Sequence, residues 1–186
     1  MSRVDPVARS SLGTYEALID QVESSMGYLP NDLLALGHWP ELLPALGGLV
    51  QTVLGSGELD PGLKRLIGVI TSNTQGCRYC KAHAGHAATE LGLPLAKIEA
   101  VYEFESSPLF TDAERSALRL AWHGALQPNA VTDNDMAEAK QHFSDRKIVE
   151  IVSVIALYGF LNRLNSTLAT ELEPKPAAFL ESLTGD

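Results

Sequence analysis

The sequence predicts an all-α protein, and three observations predict it. Apolar residues recur at helical spacing in one segment after another, helix-starting caps precede those segments, and no period-two alternation runs between hairpin turns. At 186 residues the chain is expected to form a single domain over 1–186, long enough to bury a real core. Its 45% hydrophobic and 20% charged residues are ordinary for a globular protein.

In order, residues 1–12 read as a loose arm and Thr14 to Ser25 as a short amphipathic helix. Leu29-Pro30-Asn31 opens a second helix, which Trp39-Pro40 breaks. Glu41 to Leu54 carries a third, with Leu42, Leu43, Leu46, Leu49, Val50 and Val53 to one side. Asp60-Pro61 has the cap and first-turn pattern of a fourth, to about Ser72. Next come a cysteine-bearing helix stopped by Gly92 and Pro94, and a short one from Pro94 to Phe104. Thr111 to Glu114 is a capping box for a helix to about Leu126, and Thr132 to Asp135 starts another. Ser144-Asp145 opens a long apolar helix ending past Leu168, and a tail helix lies around Ala177–Leu183. An internal echo lays Lys64–Ile70 over Val149–Ile155 without a gap, and the same offset puts Cys77 on Asn162 and Cys80 on Asn165. This suggests a duplicated helix pair about a local pseudo-twofold.

Fourteen basic against 23 acidic residues, net −9, oppose nucleic-acid phosphates and anionic membranes. The N-terminus lacks a signal-peptide core, and the apolar run Ile148 to Leu161 is too short to span a bilayer. A cytoplasmic protein is expected, with no membrane and no nucleic-acid partner.

Gly76 to Gly92 holds the chemistry: both cysteines, Cys77 and Cys80, and two of five histidines, His83 and His86. A C-x-x-C pair at a helix start is the form of a redox dithiol, because the unpaired N–H groups and the helix dipole favour a thiolate. On those grounds Cys77, nearer the helix start, is the more acidic thiol. Residues three apart face each other on a helix, so His83 neighbours Cys80 and can carry its proton. A zinc reading of Cys77, Cys80, His83 and His86 is weaker. Steps of three residues rotate about −60° each and fan the four across half of one helix. Two further readings leave the cysteines as buried structural thiols, and His38, His123 and His142 as structural. Tyr79 is expected to pack. Glu150, Asn162, Arg163 and Asn165, polar on an apolar helix, need hydrogen-bond partners or a place in a site wall.

The cysteine stretch GCRYCKAHAGH, the preceding LDPGLKRLIGVITSNTQGC and the later FSDRKIVEIVSVIALYGFLNRLN resemble the carboxymuconolactone decarboxylase / alkylhydroperoxidase D (AhpD) superfamily in its longer peroxidase-related branch. The resemblance covers about residues 30–172, which are expected to form the core of the domain. It implies an all-helical AhpD-like fold associating as dimers, trimers or hexamers, and a dithiol with no cofactor and no metal. By motif position it makes Cys80 attack a hydroperoxide and Cys77 resolve the sulfenic acid to a disulfide, which an external dithiol or lipoyl-type reductant reopens. The chain departs from the motif twice: Ala84 stands where AhpD-type members have a histidine, and Arg65 where they have a relay glutamate. His83 and His86 are the substitute histidines; Arg65, Glu58 and Glu150 are the candidates for relay or site wall. The alternatives are a non-catalytic or ligand-binding helical oligomer, or a decarboxylase of muconolactone-type substrates.

Overall fold

The structure, a computed structural model, describes residues 1–184, and among them it contains helices and no strand. After 3-10 turns over Arg9–Tyr15 come α1 (Glu16–Met26), α2 (Asn31–Leu36) and α3 (Leu42–Val50), which winds on through a π turn at Gln51–Gly55. Then follow α4 (Pro61–Thr74), α5 (Arg78–Glu90), α6 (Leu95–Glu99), α7 (Asp112–Ala125), α8 (Asp133–His142), α9 (Asp145–Leu168) and α10 (Pro174–Thr184). The caps act where the sequence puts them. Asp60 accepts from the Leu63 N–H at 2.8 Å, Thr111 with Glu114 and Thr132 with Asp135 form complete capping boxes, and Ser144 caps α9.

α4 is the central element and packs against α5, α7 and α9. Leu66, Ile67, Leu118, Ile151 and Val154 are buried in the shared core. Two glycines allow close approach. A Cβ on Gly68 would sit 2.3 Å from the Tyr158 ring, and one on Gly85 would sit 2.2 Å from the Phe179 ring. The first lets α9 lie against α4, and the second seats α10 on α5. A smaller cluster of Leu12, Ile19, Leu33, Leu36 and Leu43 holds the N-terminal helices against α9 through Leu164.

Four expectations are corrected. Residues 1–12 are tied down: Leu12 is buried, and Arg3 donates from its backbone to Leu168 O and from its guanidinium to Ser166 O and Thr167 O. The last carbonyls of a helix need donors, and the arm supplies them to α9. The packed unit extends past residues 30–172, since Ile19 and Phe179 are core. The proposed duplication does not hold as a pair of helices, because α9 runs unbroken where its counterpart turns at Gly76 between α4 and α5. Lastly, the long apolar helix is 24 residues and by length and composition could cross a membrane, but 56% of its apolar window is buried inside the protein.

Candidate active site

α4 ends at Thr74, and Gly76 at φ +69° turns the chain so that Cys77 becomes the N-cap of α5. A residue there has its side chain facing the free N–H groups of the first turn. Cys77 Sγ accepts the Cys80 N–H at 3.4 Å. Both cysteines are reduced and buried, 2% and 3% exposed. The Cys80 thiol donates to Cys77, and with the N–H groups of Cys80 and Tyr79 and the Ser166 hydroxyl it outweighs the cost of burial. These draw the Cys77 thiol down from 9.0 to about 6. Donating to a neighbouring thiolate, together with burial, pushes Cys80 up. Acidity is therefore ordered as the helix dipole predicts, the reverse of the roles implied by the resemblance.

Behind Cys80 lies a buried polar network. Asn165 Nδ2 reaches Cys80 Sγ at 3.5 Å and Asp32 Oδ2 at 3.2 Å. Asp32 keeps a little exposed surface, but its carboxyl lies among these groups and desolvation raises its pKa, with Asn165 and His83 opposing. The Asp32 N–H donates to the Tyr79 hydroxyl at 3.3 Å, and that hydroxyl donates to Glu173 Oε1 at 2.8 Å. Glu173 Oε2 stands 2.7 Å from His83 Nε2, and His83 Nδ1 stands 3.1 Å from the Tyr28 hydroxyl. His83 also stacks on Tyr79, ring centroids 4.2 Å apart. Burial works to raise the Glu173 pKa, but the His83, Asn31 and Tyr79 hydrogen bonds together leave it below its ordinary value.

The predicted residues divide accordingly. Cys77 and Cys80 meet. His83 belongs to the network, but both its ring nitrogens are engaged with Glu173 and Tyr28, so it is linked to the sulfurs through other groups. His86 lies beside Tyr28, 6.1 Å between rings, and burial lowers its pKa. Arg65 stands beside Tyr158: burial raises the Tyr158 phenol and the Arg65 guanidinium opposes that, while Cys80 also acts on Tyr158. Glu58 and Glu150 are elsewhere. Glu150 precedes Asn165 by fifteen residues, about 22 Å along α9, and there it accepts the Glu58 and Leu59 N–H groups at 3.0 Å. Glu58 is exposed. The pair organises the turn before α4 and takes no part in a relay. Among the described residues no three His, Cys, Asp or Glu side chains converge as a metal site. His38 and His123 have structural bonds, to Asp5 O and to the capping Asp135, each at 2.9 Å.

Tyr28, Asp32, Ser166 and Glu173 were missed, being far from the motif in sequence and ordinary where they stand. Asn165 carried two signals: it is polar on an apolar helix, and it lies 85 residues from the cysteine it touches, the offset of the internal echo.

The pattern of the carboxymuconolactone decarboxylase family matches residues 40–122, from just before α3 to within α7 and including both cysteines. The debrominase Bmp8 in its apo form is 33% identical, covers 98% of both chains and superposes with a TM-score of 0.90. The chain belongs to the carboxymuconolactone decarboxylase / AhpD superfamily. A cysteine-to-alanine variant of Bmp8 in complex with 2,3,4-tribromopyrrole is also similar, at 32% identity, 98% coverage of each chain and TM-score 0.91. A peroxidase-related protein from Ralstonia eutropha JMP134, with an alkylhydroperoxidase AhpD core, shares the fold at TM-score 0.83 and 22% identity over 94% of each chain. The uncharacterized protein YnjA of Escherichia coli K12 is 27% identical over 142 residues, 74% of this chain and 78% of YnjA. The family match over residues 40–122 includes Cys77, Tyr79, Cys80 and His83 and does not reach Tyr28, Asp32, Asn165 or Glu173.

Proposed function

We propose that the protein is a dithiol oxidoreductase that reduces a small organic hydroperoxide with Cys77 and Cys80. The observation that carries this is geometric: Cys77 is the N-cap of α5, its sulfur accepts the Cys80 N–H at 3.4 Å, and a second buried thiol, Cys80, stands one turn on. The Cys77 thiolate attacks the distal peroxide oxygen. An S–O bond forms, the O–O bond breaks, and the alkoxide leaves as an alcohol after taking a proton. The Cys80 thiol is the acid placed to supply that proton, and Asn165 Nδ2, donating to both Cys80 Sγ and Asp32 Oδ2, holds the Cys80 sulfur in place. The Cys80 thiolate then attacks the Cys77 sulfenic acid, the S–S bond forms, the S–O bond breaks, and the hydroxide takes a proton from solvent and leaves as water. The two electrons come from the thiols, and an external dithiol restores them at the cost of its own oxidation. The roles of the cysteines follow acidity and are opposite to those the resemblance implied.

A second substrate class is favoured by the likeness to Bmp8 over nearly the whole chain. The same thiolate can attack a ring-bound bromine. The S–Br bond forms, the C–Br pair passes to carbon, carbon takes a proton, and Cys80 displaces bromide to close the disulfide. Either substrate consumes two thiols.

The test is to count free thiols before and after one equivalent of cumene hydroperoxide or of tribromopyrrole. Loss of both thiols to an intramolecular disulfide is expected with at least one of them; unchanged thiols with both would remove the enzymatic reading. With peroxide, Cys80→Ser should form a trappable sulfenic acid and Cys77→Ser should not. The opposite result restores Cys80 as the attacking sulfur.

A further inference from the structure

A cavity of about 380 Å³ opens over Cys77, lined by Ser72, Cys77, Arg78, Lys81, Leu180 and Leu183. Cys80 is not in its lining. The Ser72 hydroxyl is fully buried and has no hydrogen-bond partner, although a polar atom in that position costs free energy when unpaired. Two cations stand on the α5 side, Arg78 and Lys81, and the α10 side presents two leucines and the Glu181 carboxylate. We propose that this cavity is the docking site of a thiol reductant that carries a carboxylate, an inference that rests on the dithiol reading above.

The argument is one of charge, access and an unpaired donor. In the reduced protein the Cys77 thiolate and Glu181 offset Arg78 and Lys81. Closing the disulfide removes the thiolate and leaves one net positive charge among the described lining residues, Arg78 and Lys81 against Glu181. An anion is then favoured, the Ser72 O–H donates to its carboxylate, and Leu180 and Leu183 take its methylene chain. Size and burial select against a broad protein surface, since Cys77 is only 2% exposed and the cavity has the volume of a small-molecule site. Leaving-group acidity alone would direct attack to Cys80 with Cys77 departing. Access decides otherwise, because the cavity reaches only Cys77. The reductant thiolate attacks Cys77 Sγ, the new S–S bond forms, the Cys77–Cys80 bond breaks, and Cys80 takes the electron pair and a proton. A second thiol of the reductant, intramolecular or from another molecule, then displaces Cys77 as a thiolate and leaves the reductant as a disulfide.

The experiment uses the full-length protein oxidised with diamide. Second-order rate constants of reduction are measured with mercaptoacetate, mercaptoethanol and cysteamine, each corrected for its thiolate fraction, at low and high salt. The anionic thiol should be fastest, about tenfold over the cationic one at low salt, with the preference shrinking as salt rises. Lys81→Gln and Ser72→Ala should both shrink it, while Lys81→Arg retains it. Equal rates, or a faster cationic thiol, in a protein that does form the disulfide would overturn the docking site and leave the dithiol chemistry standing. If diamide leaves both thiols free, the dithiol reading falls and the docking site with it.

Discussion

At the scale of single residues, position on the helix decides what each cysteine can do. The N-cap sulfur receives the donors that α5 cannot satisfy internally, and the sulfur one turn later supplies one of them. Alkylation of Cys77 by iodoacetamide should therefore rise with pH through about 6, its depressed value, and already be near its plateau at pH 8. Cys80→Ala deletes the S–H donor, so the thiolate loses its largest support and the midpoint moves up toward 9.0. A midpoint unchanged by that substitution would show that the neighbour thiol does not set the acidity. Glu150 gives the corresponding case for stability. Burial opposes its ionisation, but the Glu58 and Leu59 N–H groups, Arg146 and Lys64 bring its pKa down from 4.5 to about 2. A carboxyl depressed on folding contributes stability above its unfolded pKa and loses it as pH falls through the folded one. That contribution, roughly 1–3 kcal/mol at neutral pH once solvent screening of the exposed Arg146 is allowed for, fades between about 4.5 and 2. Glu150→Gln should lower neutral-pH stability by about that amount in urea unfolding and flatten the acid limb over the same window.

At the scale of elements, α9 and α10 complete a site that α4 and α5 begin. The α4–α5 turn presents the sulfurs, α9 brings Asn165 to Cys80 and Ser166 to Cys77, and the segment entering α10 brings Glu173 to His83 and Tyr79. α10 is held by Phe179, whose ring rests on Gly85, and its Leu180 and Leu183 wall the cavity over Cys77. Phe179→Ala should cost about 3 kcal/mol of stability, as core aromatic truncations do. It should also speed iodoacetamide alkylation of Cys77 several-fold, because the cavity wall is loosened. Calorimetry and alkylation rate are both needed. A fall in melting temperature without faster alkylation would mean that α10 stabilises the fold but does not gate the sulfur.

At the scale of the whole molecule, what was legible in the sequence is what is local. Caps such as Asp60, Thr111, Thr132 and Ser144 announce helices from within four residues, and the cysteine spacing announces a dithiol. Asp32 and Glu173 join the site across 133 and 142 residues, to Asn165 and Asn31 respectively, and nothing in their neighbourhood marks them. The same distance effect explains the misplaced relay: Glu150 looked available because it is polar on α9, yet it faces the opposite end of the helix. One property of α9 belongs to this scale alone. It is apolar on every side, and a helix of that kind is normally covered all round. Ile151, Val154 and Tyr158 are buried by the chain, whereas Val149, Val152, Ala156 and Phe160 form an exposed stripe. The stripe borders a groove of about 790 Å³ between α7 and α9 whose lining contains no aspartate or glutamate, in a chain with 23 of them. The family resemblance implies subunits that associate, and a second copy of this chain is the occupant proposed for that face. Two copies of net charge −9 repel, so apolar contact must outweigh the repulsion, and association should tighten as salt screens it. Light scattering at micromolar concentration should give the mass of an oligomer for the wild-type protein and of a monomer for Phe160→Glu, with helicity unchanged. A monomeric wild type at both low and high salt would mean that the stripe is left to solvent.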